Sequence, residues 1–273
     1  MNARPLLNRR ILLTGATGTL GCETALALAR MGAQLLLPVR NPAKSAALRD
    51  RIIEESPDAS LRFLVLDLAD ETSVQQLANL LCTENEPLDA IIHNAGVFTK
   101  GGQVSPQGIE WHQQVNAISP FRLTQALLPL LQLAQTPAIV TVTSLSALWL
   151  KNIPCQEKAS PTQLYAGSKK QLMIQMHQLS QQYQTIRFVY AHPGVCATGL
   201  FSGTTHQTAY NRHLLAIALP LMKRIFPSPK NACKTTLAAL LQGQSGQLAE
   251  PEGFLHIWGE PKLVPLEKRI TIP

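Results

Sequence analysis

Short apolar runs of strand length recur along the chain, at 11–14, 35–39, 63–66, 90–93, 138–143 and 186–191, and a helix-length stretch separates each from the next. Such alternation reads as repeated βαβ units and therefore as a parallel sheet. Strands that are apolar on both faces belong where helices cover both sides, so the expected fold is α/β and doubly wound. Neither an internal repeat nor a Gly/Ser linker interrupts the pattern. It predicts a single domain over residues 5–260, with an insertion at about 195–226 and a C-terminal tail at 261–273.

Composition agrees. Of 273 residues, 45% are hydrophobic and only 15% charged, which excludes a disordered chain. The formal net charge of +7 suits anionic ligands such as phosphates, but no Lys/Arg run exceeds two residues, so no nucleic-acid stripe is expected. Cys22, Cys82, Cys155, Cys196 and Cys233 are odd in number and contain no CxxC pair, which argues against a disulfide framework or a structural metal site. A reducing, cytoplasmic setting is expected. The apolar run after Arg9 and Arg10 is too short for a signal peptide, and Leu214 to Met222, the greasiest segment, is too short to cross a bilayer.

The first strand runs into Thr14-Gly15-Ala16-Thr17-Gly18-Thr19-Leu20-Gly21, and a helix-like stretch from Cys22 to Met31 follows. Glycines at these spacings let the backbone turn tightly, approach a pyrophosphate and pack the helix on the sheet, while helix N–H groups face the anion. Its position between a strand and a helix reads as the Rossmann type of dinucleotide turn, with an ordinary strand-to-helix turn as the alternative. The end of strand two distinguishes the two nicotinamide dinucleotides: an acid there would accept from the ribose 2′-hydroxyl, whereas this chain has Leu37-Pro38-Val39-Arg40-Asn41. Arg40 can pair with a 2′-phosphate, which favours NADP(H), or be a solvated loop cation. Asp67, closing strand three, either holds the adenine amino group or caps the next helix, for which Asp70 and Thr72 are the other cap candidates; Pro42 suits the first turn of the helix after strand two.

Tyr165-Ala166-Gly167-Ser168-Lys169 lies inside a helical stretch from about Pro161 to Tyr183. A separation of four puts Tyr165 and Lys169 on one face, where the ammonium can lower the phenol pKa from its usual value near 10. An isolated match of this kind is better read as an amphipathic core tyrosine beside a snorkelling lysine. Leu172, Met173, Met176 and Leu179, at helical spacing after it, read as packing.

The order of the pieces is more specific than any one of them. TGATGTLG is followed by VRNPAK, LDL at 66–68, HNAG at 93–96, VNAISPF with Asn116, VTVTS ending in Ser144, YAGSK, and HPGVCAT from His192 to Thr198. In this the chain resembles the short-chain dehydrogenase/reductase family from about residue 8 to residue 200. QGIEWHQQVNAISPFRLTQALLPLL and FPSPKNACKTTLAALL are most similar to its retinol-dehydrogenase and WW-domain-oxidoreductase branch.

The resemblance implies roles. Tyr165 would be the catalytic acid/base, Lys169 the residue that acidifies it and holds the nicotinamide ribose, Ser144 the hydroxyl that polarises a carbonyl, and Asn116 the residue that bends its helix and anchors a water on the proton path. Gly15, Thr17, Gly18, Leu20 and Gly21 would form the phosphate turn, Asn94 would end strand four, and Thr198 would touch the nicotinamide amide. The chemistry is coherent: as hydride reaches a carbonyl carbon, charge grows on oxygen, and a phenol and a serine hydroxyl stabilise and protonate it.

Three departures accompany the resemblance. The turn reads GxxGxxG rather than TGxxxGxG. His93 stands where Asn is usual and reads as a strand-end packing residue. Ser144 precedes Tyr165 by a long interval that leaves room for a loop, with Ser146 as the reserve candidate.

Substrate choice in an open α/β sheet belongs to loops beyond the carboxyl ends of the strands, here 146–160 and 195–226. Leu214, Leu215, Ile217 and their neighbours with Lys223 and Arg224 make either an apolar lid, with peripheral membrane contact through 214–226, or a helix buried on the last strands. A small lipophilic carbonyl or alcohol of retinoid, steroid or aldehyde type is the expected substrate, and the resemblance allows a homodimer. Two other classes remain: a non-catalytic NADP(H)-binding regulator or scaffold, which has no need of Ser144, Tyr165 and Lys169 together, and a sugar-nucleotide epimerase-like enzyme suggested by GxxGxxG.

Overall fold

The computed structural model describes residues 4–154, 159–194 and 227–271. The elements are β1 (Arg10–Leu13), α1 (Thr19–Arg30), β2 (Gln34–Val39), α2 (Ala46–Glu55), β3 (Ser60–Val65), α3 (Glu71–Glu84), β4 (Ala90–His93), α4 (Trp111–Gln113), α5 (Ser119–Gln132), β5 (Ala138–Val142), α6 (Leu145–Trp149), α7 (Pro161–Gln182), β6 (Arg187–Ala191), α8 (Pro229–Gln242), β7 (Gln247–Pro251) and β8 (Pro261–Pro265). The sheet order is β3-β2-β1-β4-β5-β6-β7-β8, parallel throughout except for the antiparallel β7/β8 pair.

Alternation along each strand divides the core in two, as the apolar runs predict. Leu12, Ile91, Ile139 and Phe188 face Leu81, Leu127 and Met173 from α3, α5 and α7. Ile11, Ile92, Val140 and Val189 face Leu26, Ile52 and Ala239 from α1, α2 and α8. The stripe of Leu172, Met173, Met176 and Leu179 is buried packing, as expected.

Two expectations change and one alternative is resolved; the central strand β7 also lies outside the predicted apolar runs. β3 begins at Ser60, not Phe63, because it is an edge strand whose exposed positions carry no apolar signal. Residues 261–265, set apart in the sequence as a tail, form the other edge strand, which packs Val264 and Leu263 on the two cores. Asp70 is the cap of α3, accepting from the Thr72 N–H at 3.0 Å; Thr72 supplies the donor and not the cap. The insertion at 195–226 and Cys155 to Lys158 lie outside the described residues. Among the described residues no helix is long and apolar enough to cross a membrane.

The sheet reverses its winding direction at β1, whose neighbours are β2 and β4. A crevice therefore opens beyond the carboxyl ends of β1 and β4, where crossovers leave to opposite faces.

Candidate active site

The glycine turn lies at that switch point. Gly15 has φ +71°, and a Cβ there would stand 2.8 Å from the Ala95 Cα; a Cβ on Gly21 would stand 2.0 Å from the Gly15 carbonyl oxygen. α1 can start directly against β1 only without those side chains. Gly18 is the N-cap of α1, makes no side-chain cap and donates to the Gly15 carbonyl at 3.0 Å. The first-turn N–H groups of α1 have no intrahelical acceptors, and Thr17, Gly18 and Thr19 are exposed. Leu20 packs its side chain toward the α1 core and so contributes backbone only.

Asn94 braces the turn from β4. Its Nδ2 donates to the Thr14 and Gly15 carbonyls at 3.0 and 3.2 Å, and its buried Oδ1 has no partner among the described residues. Arg40 follows β2, exposed and without an ion pair among the described residues. Asp67 does not cap α3, because Asp70 does; it closes its own turn, accepting from the Ala69 N–H at 2.9 Å while its N–H donates to the Ser73 Oγ.

On the other side of the crevice, a capping box of Ser160 and Gln163 with Pro161 at the first position starts α7. One turn in, Tyr165 is half-buried and Lys169 is 3% exposed. The Lys169 Nζ donates to the carbonyls of Ala95 at 3.1 Å and Val142 at 3.2 Å, which ties it to the ends of β4 and β5. Burial lowers Lys169 to about 8.

The phenol behaves otherwise than the spacing predicts. Burial pushes Tyr165 up to about 12, and the opposing pull is a hydrogen bond from Ser144, not the ammonium. The ammonium is engaged with backbone carbonyls, while Ser144, the N-cap of α6 just beyond β5, is turned toward the ring. Ser146 is no substitute for Ser144: its hydroxyl pairs with the Ser144 Oγ at 2.9 Å and so orients it.

Asn116 sits, fully buried, in a π-helical turn, Gln114–Ile118, between α4 and α5. The wider turn frees its side chain to clasp Val97, accepting from its N–H at 2.8 Å and donating to its carbonyl at 3.0 Å, and to reach the Ser168 Oγ at 3.1 Å. Gly96 lies between Asn116 and Lys169; a Cβ there would be 3.0 Å from the Lys169 Nζ. Ser144, Tyr165, Lys169 and Asn116 thus converge on the ends of β4 and β5. Thr198 lies outside the described residues.

Sequence reasoning missed three side chains. Phe98 meets Tyr165 edge to face, with ring centroids 5.6 Å apart. His112, fully buried, accepts from the Thr99 N–H at 3.0 Å and is held by Glu110 at 2.7 Å, which sets the segment carrying Phe98. Lys170 donates to the carbonyls of Leu150 and Lys151 at 2.5 and 3.0 Å, fastening the loop after α6 to α7. Only the doubled lysine hinted at any of these, since a helical pair of adjacent lysines cannot share one face.

A glycine turn at the switch point and a serine, tyrosine and lysine cluster facing it define an α/β protein of the dinucleotide-binding class. The short chain dehydrogenase profile matches residues 9–209, and the chain belongs to the short-chain dehydrogenase/reductase family, in its retinol-dehydrogenase-like branch. It is 30% identical to human dehydrogenase/reductase SDR family member 13 over 245 residues, covering 87% of this chain and 63% of that protein. It is 33% identical to the chicken WW domain-containing oxidoreductase over 144 residues, 53% of this chain and 35% of the other. A Shigella flexneri short chain dehydrogenase solved with NADP superposes with a TM-score of 0.69 at 26% identity, covering 90% of this chain and 98% of that one. The chain thus spans less than two thirds of the length of the curated relatives it matches first.

Proposed function

We propose that this chain is an NADP(H)-dependent oxidoreductase that acts on the carbonyl or alcohol carbon of a lipophilic small molecule. The observation that carries the reading is the convergence of Ser144, Tyr165 and Lys169, from two elements, on the crevice that the glycine turn opens. The fit of the dinucleotide rests on the cradle that a Cβ at Gly15 or Gly21 would fill, and on the open amides at the start of α1.

In this reading Gly15, Thr17, Gly18, Leu20 and Gly21 hold the pyrophosphate through backbone N–H groups, and Arg40 holds the 2′-phosphate. Asp67 serves the adenine amino group, Asn94 keeps the turn in place, Tyr165 and Lys169 hold the nicotinamide ribose, and Thr198 serves the amide. The cofactor, when bound, supplies or receives the hydride. Tyr165 stays protonated at neutral pH because burial raises it, so it is ready to give its proton to a carbonyl oxygen, while Ser144 donates to that same oxygen. Lys169 and Asn116 stand behind Tyr165, where a proton can be returned to it.

Apolar side chains around the mouth support a lipophilic substrate. Trp149 and Ile153 are exposed, and Ile153 and Pro154 pack on α7 at Gly167, two residues past Tyr165. Exposed apolar surface beside a polar cluster is what a binding mouth needs.

The test is a panel of aldehydes, ketones and retinoids followed by NADPH absorbance, with Tyr165→Phe alongside. Turnover that falls by roughly 10² to 10⁴ in the variant, with NADPH binding retained, is expected. Unchanged turnover in Tyr165→Phe overturns the mechanism. Tight NADPH binding with no turnover across the panel would instead favour the regulator reading.

A further inference from the structure

Beneath Lys169 the sheet carries a polar layer that the proposed chemistry does not use. His93 of β4 is in register with Thr141 of β5, and Thr141 with Tyr190 of β6. Alternation puts all three on the face covered by α5 and α7, and all three are buried. His93 Nδ1, Thr141 Oγ1 and Tyr190 Oη have no hydrogen-bond partner among the described residues. Buried polar atoms without partners are costly, and neighbouring ones are commonly joined by a water.

The tautomer of His93 follows from its partner. Its Nε2 lies 2.6 Å from the Thr124 Oγ1, and the single Thr124 hydroxyl proton goes to the Pro120 carbonyl at 3.0 Å. The Thr124 oxygen therefore accepts, Nε2 carries the proton, and Nδ1 presents a lone pair. Burial, then the Lys169 charge, holds the ring neutral by lowering it to about 3.

Lys169 closes the top of the same two strands. Its two carbonyl acceptors, Ala95 and Val142, lie two residues beyond His93 and one beyond Thr141. An ammonium, a lone pair and a hydroxyl thus stack at the ends of β4 and β5. We propose that His93 is a positioning residue for Lys169: its Nδ1 and the Thr141 hydroxyl hold a buried water against the ammonium from below. This rests on the reading of Lys169 as part of the active site. An acceptor chain there orients the ammonium toward the crevice and favours its charged form.

Few other charges bear on this layer. Among the described residues, Lys169 is the charge that bears on His93, and burial is what lowers Lys169. On α7, Tyr165 faces Ser144 and Lys170 turns to the Leu150 and Lys151 carbonyls. From β6 comes Tyr190, from α5 only Thr124, since Arg122 pairs with Glu71 outside, and beyond Phe98 the His112–Glu110 pair.

The test reads Lys169 directly, without cofactor or substrate. The intact chain carrying 13C-labelled lysine is titrated by NMR, and the Lys169 signal is identified by its loss in Lys169→Met. His93→Leu is expected to move the Lys169 titration about one unit toward acid, because the acceptor chain is lost. His93→Asn, which keeps an acceptor, is expected to restore most of the wild-type value. Thr141→Val removes the other anchor and carries the same expectation should His93→Leu not fold. A Lys169 titration unchanged in either folded variant overturns the proposal, as does a high-resolution crystal structure with no water bonded to His93 Nδ1 and Thr141 Oγ1. Failure of the functional reading shows separately, as turnover that survives Tyr165→Phe.

Discussion

The Gly15 carbonyl oxygen lies where the Cβ of residue 21 would be, at a separation of 2.0 Å. This close approach presses the first turn of α1 against the end of β1 and leaves its N–H groups facing the crevice. Gly21→Ala must push the helix away, and the neighbour in the way is backbone, which cannot rotate aside. The expected result is a loss of about 1–3 kcal/mol of stability, as in other overpacked sites. NADPH affinity should fall with it by at least about tenfold, since the displaced amides are the anion donors. Thermal denaturation with NADPH fluorescence titration measures both; wild-type affinity in a folded Gly21→Ala would remove the turn from the binding site.

Arg40 and the absence of an acid after β2 carry the choice between the two dinucleotides. Arg40→Asp replaces a cation that can pair with a 2′-phosphate by a carboxylate that repels it and can accept from a 2′-hydroxyl. The ratio of NADH to NADPH affinity should rise by about tenfold or more. An unchanged ratio would make Arg40 an ordinary surface cation.

Lys169 links the site to stability through pH. Its pKa falls from 10.5 to about 8 on folding, because the charged form is buried. Between those values the unfolded chain binds more protons than the folded one, so the charged lysine costs stability below pH 8 and that cost fades as pH rises toward 10.5. Wild type should therefore gain on the order of 3 kcal/mol relative to Lys169→Met between pH 7 and pH 10.5. Denaturant unfolding of both proteins across that range checks the sign. Parallel pH curves would mean that the ammonium is solvated.

Most of the strand plan and the order of the site motifs were legible because both are local. A central parallel strand reads as a near-continuous apolar run, and a glycine turn or a YxxxK pair needs only a few consecutive residues. β3 was clipped and β8 was missed for the converse reason: an edge strand has an open side, so Arg62 and Lys262 can sit in it, and its membership in the sheet depends on a neighbour far away in sequence; β7, a central strand, was missed as well because Gln247, Glu250 and Pro251 leave it no apolar run.

The same division holds within the site. Tyr165 and Lys169 could be picked out by spacing, and Ser144 and Asn116 by the family resemblance, yet which group acts on which could not. The ammonium was expected to acidify the phenol because four residues make one helical turn, but the strand ends at Ala95 and Val142 occupy two of its donors, and Ser144 reaches the ring instead. Phe98 and His112 gave no signal and Lys170 only the hint of a doubled lysine, since each owes its place to a partner on another element.

From sequence alone came the α/β class, the double winding and the dinucleotide turn, which follow from periodicity and short spacings that the backbone enforces locally, while the candidate site residues came from the Tyr165–Lys169 spacing and, for Ser144 and Asn116, from the family resemblance. Only the folded chain decided the burial of Tyr165 and Lys169, the partner of Ser144, and the buried layer of His93, Thr141 and Tyr190. Desolvation and hydrogen-bond pairing depend on which distant strands and helices meet, and that is a property of the packed sheet, not of any stretch of residues.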